Sequence, residues 1–316
     1  MTARNAAIAG DRFSEPFVHA ALLYHDAATF LDGTMNFIYE GVSLGEPVAV
    51  AAPSANIRLI RERLGAFAEV VSFTDMQEAG RNPGRIIPWV LSKFMDEHPG
   101  KRVRVIGEPV WPGRSDDEYP ACVQHEAMIN VAFQGREASI LCLYDAGHLE
   151  SHMVKDSYAT HPMMIDAGAR FASDAYDPHG IAETYNVPLP EPPFGATTLR
   201  FEVGDLVKVR RAVAEVGLDA ELPPDRIVDL QSAVNELATN SIMHAGGSGT
   251  LRTWRDEERV VCEVRDFGNL TDMMAGRLRP TGGRGGRGLV MVHFLVDLVQ
   301  RHTCQTGTTT RVHVLR

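Results

Sequence analysis

The chain has 316 residues, 44% of them hydrophobic and 23% charged, which suits two globular domains with separate cores and excludes a wholly disordered protein. No apolar run reaches the ~18 residues of a membrane span, and the start Met1 to Glu15 is polar, so a cytoplasmic protein with no membrane partner is expected. Net charge is −10, and its acidic excess falls in the first 198 residues (15 basic, 26 acidic), which disfavours a direct nucleic-acid partner.

In chain order, Val18 to Tyr24 is a short apolar run, and Asp26 to Tyr39 has helical spacing (Ala27, Phe30, Leu31, Met35, Ile38). Pro47 to Ala52 reads as a buried strand, with Ser54 as N-cap of a helix reaching Leu64. Val70 to Phe73, Arg102 to Gly107 and Ala138 to Tyr144 are further apolar runs, separated by helical stretches near 84–98 and 116–133. Strands alternating with helices imply a parallel sheet covered on both faces. Four prolines within Asn186 to Gly195 exclude helix and central strand, and predict an extended linker over 186–196 between domains at 15–185 and 197–316. Beyond it come helices over about Glu202–Val216 and Pro224–Ala245, and a hairpin pair over Gly249–Arg255 and Arg259–Asp266. A loop, a helix from Gly288 to about Val296 and two closing strands complete an α/β sandwich. The cysteines, at 122, 142, 262 and 304, show no paired spacing, and Cys142 and Cys262 read as small core hydrophobes.

The helix over 224–245 sets Glu236, Asn240 and His244 at i, i+4 and i+8, on one stripe. Asn240 offers a neutral oxygen suited to Mg2+, and Glu236 can act as a general base. Alone, the same stripe reads as an ordinary polar helix face. Asp266 ends an alternating strand and can accept from an adenine amino group, while Gly268 permits close approach of the base. It is not the protein-kinase Asp-Phe-Gly element, whose companion motifs are missing from the sequence. The glycine- and arginine-rich run through Gly276, Arg277, Arg279, Arg284, Gly286, Arg287 and Gly288 can present backbone N–H groups and guanidinium charge to phosphates.

Taken in order, these residues resemble the GHKL ATPase superfamily, and within it the anti-sigma-factor serine/threonine kinases. The matching elements are Glu236-x-x-x-Asn240, Asp266-x-Gly268, Gly286-Arg287-Gly288-Leu289 and Gly307-Thr308-Thr309. The resemblance implies a Bergerat-type α/β sandwich binding ATP with Mg2+. Glu236 would be the catalytic base and Asn240 the metal ligand; His244, Asp266, Gly268, Arg284, Gly286, Arg287, Gly288 and Thr308 would bind the nucleotide. It further implies a sigma factor and a STAS-like anti-anti-sigma antagonist as partners, and a homodimer. Leu270 stands where the family often has a glycine, which bears on lid flexibility. The alternatives are a sequestering module that binds ATP without turnover and a histidine-kinase-like signalling protein.

The first domain resembles the MEDS sensory domain, related to the RecA/KaiC core. The resemblance rests on His19 through Tyr24, Phe30 through Glu46, Val105 through Trp111, Leu141 through Asp145 and His161-Pro162. It implies a parallel-sheet α/β sensor. The Gly41-x-x-x-Gly45-Glu46 turn has no Gly-Lys-Ser/Thr, so triphosphate binding is not expected there. Asp145 reads as structural, His148 and His152 as solvated rather than metal-binding, and His125-Glu126 as unrelated to a phospho-accepting histidine.

Overall fold

The computed structural model describes residues 16–278 and 287–316. Contacts divide the chain between Tyr185 and Asn186 into two units. In the first, β1 (Phe17–Tyr24), β2 (Val48–Ala52), β3 (Val71–Asp75), β4 (Val103–Gly107) and β5 (Ala138–Asp145) join β6 (Met163–Asp166) and β7 (Ala169–Ala172) in the order β3-β2-β4-β5-β1-β6-β7. All pairings are parallel except β6 with β7. β2 and β4 are buried at every position, as are nearly all of β1 and β5, so these strands read as unbroken apolar runs rather than alternating ones. Tertiary pairing alone reveals the β6–β7 hairpin, whose turn puts Ala167 (φ 46°) and Gly168 (φ 77°) in left-handed conformations.

The helices of this unit are α1 (Ala27–Ser43), α2 (Ser54–Leu64), the short α3 (Met76–Ala79) and α4 (Ser92–Asp96), α5 (Tyr119–Ala132), α6 (Ser151–Thr160) and α7 (Pro178–Thr184). Asp26 caps α1 reciprocally with Thr29 in a capping box. Ser54 does not cap α2 as expected: Pro53 is the N-cap, and the Ser54 hydroxyl donates to Asp75 at the end of β3. The helix expected near 84–98 is broken up. A 3-10 turn at Pro83–Arg85 and a π-helical turn at Ile86–Leu91 precede α4, and Pro88 inside the π turn has no N–H to donate.

In the second unit β8 (Thr197–Glu202), β9 (Ser248–Arg255), β10 (Arg259–Asp266), β11 (Leu298–Cys304) and β12 (Gly307–Leu315) form an antiparallel sheet in the order β11-β12-β10-β9-β8. One face packs against α8 (Leu206–Asp219), α9 (Pro224–His244) and α10 (Arg287–Leu295). The shared core takes Phe201, Val209 and Val213 with Leu230 and Leu237, against Cys262, Val264, Val312 and Val314. The chain is thus a mixed α/β protein with one largely parallel and one antiparallel sheet. The sequence pattern predicts a helix from about Glu202, but β8 ends at that residue and α8 begins four residues later. The proline segment runs along the sheet's outer face. The Asn186 side chain donates to Thr303 O (2.9 Å) and accepts from Thr303 N (3.0 Å), and Arg311 donates to Pro190 O (2.6 Å). Among the described residues no helix is long and apolar enough to cross a membrane.

Candidate functional site

α9 supplies the first wall of a cleft in the second unit. Its inner face buries Leu230, Ala233, Val234, Leu237, Ala238 and Ser241. This rotation leaves Glu236 and Asn240 half-buried and His244 exposed at the helix end. Among the described residues none of the three takes a hydrogen bond or ion pair, and all three line cavities of this cleft.

Asp266 is held differently. It ends β10 directly opposite Thr308 of β12. One carboxylate oxygen accepts from the Ser241 hydroxyl at 2.6 Å and the other from the Gly268 amide at 2.9 Å. Its orientation is therefore fixed by α9 and by its own turn. At Gly268 a side chain would run into the Ala245 methyl, 2.7 Å from the added Cβ, which explains glycine there. The Thr308 hydroxyl donates to Gly268 O at 2.8 Å and lies 2.9 Å from the Thr303 hydroxyl, and the Leu270 amide donates to both hydroxyls (3.3 and 3.2 Å). Leu270 has no positive φ, so a side chain is accommodated where the family often has glycine. Gly307, at φ 150°, passes so close to the Asp266 carbonyl that no Cβ would fit.

These groups surround a cavity of about 280 Å3 with apolar walls from Leu237, Ala245, Val264 and Leu289, and polar groups from Asn240, His244, Asp266 and Thr308. A neighbouring cavity of about 550 Å3 is lined by Glu236, Arg210, Gln231, Asn235 and Arg287. Gly288, in the first turn of α10, belongs to both. A Cβ built there would come 2.5 Å from the Glu236 carboxylate, with the Asn240 amide 3.9 Å away. Only glycine lets the α10 N-terminus approach the carboxylate this closely.

The structure therefore gathers Asn240, His244, Asp266, Gly268, Gly288 and Thr308 at one cavity, and sets Glu236 and Arg287 at the next. Arg279, Arg284 and Gly286 lie outside the described residues. Sequence reasoning missed Ser241, which orients Asp266, and Thr303, which helps anchor the Leu270 turn. Ser241 carried a usable signal, since it is a polar residue in register with the buried stripe of α9. In the first unit His148 and His152 point to separate acids, Asp145 at 3.0 Å and Glu150 at 3.3 Å, and converge on nothing. His125 is buried at 1% exposure inside α5.

A helix-lined cleft over an antiparallel sheet, with an anchored strand-end carboxylate and a glycine at the facing helix N-terminus, defines a nucleotide-binding sandwich. Residues 199–314 match the family of the histidine kinase-like ATPase domain, and residues 18–162 match MEDS, the MEthanogen/methylotroph, DcmR Sensory domain. The N-terminal unit thus matches the MEDS domain, and the C-terminal unit matches the histidine kinase-like ATPase domain. Among solved structures, the RsbU and RsbW domains of a Mycobacterium tuberculosis protein align over 40% of this chain and 33% of theirs, at 18% identity and TM-score 0.27. The Acinetobacter baumannii histidine kinase AdeS aligns over 38% and 67%, at 12% identity and TM-score 0.24. The histidine kinase domain of a blue-light activated kinase from Erythrobacter litoralis aligns over 63% and 93%, at 15% identity and TM-score 0.26. The chain spans about a third of the Mycobacterium structure. No curated protein matches it.

Proposed function

We propose that the C-terminal domain binds Mg·ATP and phosphorylates a serine or threonine of a separate protein, a STAS-like anti-anti-sigma antagonist. The antagonist in its unphosphorylated form would compete with a sigma factor for this domain, in a cytoplasmic homodimer biased by the MEDS domain. The observation that carries the reading is the placement of Glu236. It faces the larger open cavity rather than the nucleotide pocket, one helical turn from Asn240 and across Gly288 from the pocket. A hydroxyl from another protein can enter there and give its proton to the carboxylate as it attacks phosphorus.

In this reading Leu237, Ala245, Val264 and Leu289 would hold the adenine, whose amino group would donate to Asp266. The fit rests on that carboxylate's two fixed donors, which leave its remaining lone pairs for the ligand. Asn240 and the backbone N–H groups at the α10 N-terminus would hold the triphosphate, since a helix N-terminus favours an anion. Asn240, an oxygen donor with no other partner among the described residues, would hold Mg2+ together with phosphate oxygens and waters. That ion would supply charge neutralisation on the phosphates. The exclusion of His125 from solvent favours transfer to a hydroxyl over transfer through a histidine of this chain.

The test is transfer of labelled phosphate from ATP to purified candidate antagonists. The expected product is acid-stable phosphate on the antagonist, reduced about 10²- to 10⁴-fold by Glu236→Gln with ATP affinity unchanged. Asn240→Ala is expected to abolish the Mg2+ dependence of ATP binding. Wild-type transfer rates in Glu236→Gln overturn the assignment of the base. Tight ATP and sigma-factor binding with no turnover on any antagonist overturns the kinase and leaves a sequestering module.

A further inference from the structure

Four side chains with metal-binding atoms meet in the N-terminal unit. His19 of β1 and Cys142 of β5 share one face of the sheet. The two strands run parallel with Ala21 opposite Cys142, and His19 precedes Ala21 by two residues. Glu126 projects from α5, and His161 ends α6. One ligating atom from each lies within 4.8 Å of all the others, and no member of the set is more than 1% exposed.

The positions of the protons make this cluster unusual. His161 Nδ1 lies 2.9 Å from both the Ser157 carbonyl and the Thr160 hydroxyl; the carbonyl can only accept, and the hydroxyl has the Asp156 and Ser157 carbonyls for its own proton, so in the neutral ring the proton is on Nδ1 and Nε2 carries a lone pair. That lone pair faces Glu126 Oε2 at 2.9 Å. His19 repeats the arrangement, with Nδ1 3.0 Å from Asn130 Oδ1. Asn130 spends its amide hydrogens on Thr160 O (2.8 Å) and Ala127 O (3.1 Å), which fixes Oδ1 as the acceptor. His19 Nε2 then faces Glu126 Oε2 at 3.3 Å and Cys142 Sγ at 3.4 Å. A thiol proton on Cys142 can satisfy one of these lone pairs, not all of them. Both Glu126 oxygens and His161 Nε2 make no contact of hydrogen-bond geometry. Electron pairs thus converge where water does not reach, an arrangement that is costly until a cation occupies it.

We propose that His19 Nε2, the Glu126 carboxylate, Cys142 Sγ and His161 Nε2 form a closed site for one divalent transition-metal ion of the zinc type. The donors suit that class. Imidazole and thiolate exclude Mg2+ and Ca2+, which take oxygen, and a thiolate plus a carboxylate cancel the charge of a buried dication. Bonds of about 2.0–2.3 Å set tetrahedral donors about 3.3–3.8 Å apart. The 2.9 to 3.4 Å separations named above need to open by a few tenths of an ångström, while the other pairs, all within 4.8 Å, draw in by up to about 1 Å. The outer contacts are in place as well, because Asn130 and the Ser157 carbonyl orient the two rings through Nδ1. Binding releases the Cys142 proton to solvent and ties β1, β5, α5 and α6 together at one point. In a sensory domain such a centre couples metal occupancy to packing.

The experiment uses the full chain without a histidine tag, in a Cys304→Ser background that removes the exposed thiol. Metal content after purification and dialysis is measured by mass spectrometry, and Co2+ is titrated as the optical probe. The expected result is one equivalent of metal, with intense visible bands of tetrahedral Co2+ and a thiolate-to-cobalt charge-transfer band. Cys142→Ser removes the charge-transfer band, Glu126→Gln weakens affinity by at least about tenfold, and Cys262→Ser in the other unit changes neither. Circular dichroism checks the fold of each variant. Less than a tenth of an equivalent and no thiolate band in the unmutated cluster overturns the proposal without any variant. So does a charge-transfer band that survives in folded Cys142→Ser. Neither result bears on ATP binding by the other domain.

Discussion

The polar groups of the two units follow opposite rules. In the N-terminal unit His19, Glu126, His161 and Glu108 lie under a sheet whose central strands are buried throughout, and each exchanges partners only if packing opens. In the C-terminal cleft Glu236 and Asn240 are half-buried and His244 is exposed, none of them held by the described residues, whereas Asp266 and Thr308 are tied down. The difference follows from topology. A parallel sheet needs crossover helices and closes over its polar side chains. An antiparallel sheet with helices on one face leaves a cleft where α9 and the start of α10 meet the end of β10. The first arrangement suits an ion held for the life of the fold, and the second suits a ligand that comes and goes.

The most severe challenge to this contrast lies inside the C-terminal unit. On the outer face of its sheet, Glu263 and Arg311 form a buried pair (Nη2 to Oε2 2.6 Å, Nε to Oε2 3.1 Å), and the same guanidinium holds Pro190 O. Arg311→Ala strands a carboxylate that is 3% exposed. The expected loss is about 3–4 kcal/mol from the unfolding free energy of this unit, read by urea denaturation. A loss below about 1 kcal/mol would mean that Arg252, 3.6 Å from the other Glu263 oxygen, supports the charge alone.

Glu108 tests the enclosed side. It receives hydrogen bonds from Tyr24 Oη (2.9 Å) and Asn56 Nδ2 (2.7 Å), yet burial raises its carboxyl from 4.5 to about 7, helped by the charge of Asp145. The folded state therefore keeps a proton that the unfolded chain releases above about 4.5. Stability from this group is full below that pH and is lost as pH rises through 7, by about 3 kcal/mol in all. Glu108→Gln should flatten this part of the pH profile of N-terminal unfolding. An unchanged slope between pH 5 and 8 would show that water reaches the carboxylate.

The parts legible in the sequence were those set by local pattern. β2 and β4 appear as uninterrupted apolar runs, and the Glu236–Asn240 stripe is fixed by the 3.6-residue period of α9. What stayed hidden depends on partners distant in the chain. β8 is exposed at four of six positions and becomes a strand only by pairing with β9. Ser54 looked like a cap, yet it serves Asp75, 21 residues on. The His19, Glu126, Cys142 and His161 cluster draws on two strands and two helices, and no spacing rule connects residues so far apart.

Within the cleft, Ser241 separates a carboxylate fixed in advance from one fixed only by ligand. Ser241→Ala removes the 2.6 Å donor to Asp266 and leaves the Gly268 amide as its one anchor. The expected cost is about 1–2 kcal/mol in ATP affinity, roughly a tenfold rise in Kd by calorimetry, with little effect on folding because the hydroxyl leaves no other buried acceptor unpaired but Leu237 O, which stays in its helix. An unchanged Kd would assign the orientation of Asp266 to its own turn.

Leu270 is the smallest effect and the most direct measure of how open the cleft is. If the missing glycine limited lid motion, Leu270→Gly would tighten or speed nucleotide exchange markedly. The geometry argues against that. Leu270 has no positive φ, its amide is already bonded to the Thr303 and Thr308 hydroxyls, and its half-buried side chain lines the nucleotide pocket. Glycine would add backbone freedom costing about 0.5–1 kcal/mol and remove some apolar wall. ATP affinity should then fall by about threefold, with exchange rates moving little in a stopped-flow assay. A tenfold gain in affinity would instead place the control of nucleotide exchange on this single side chain, and the cleft would be gated rather than open.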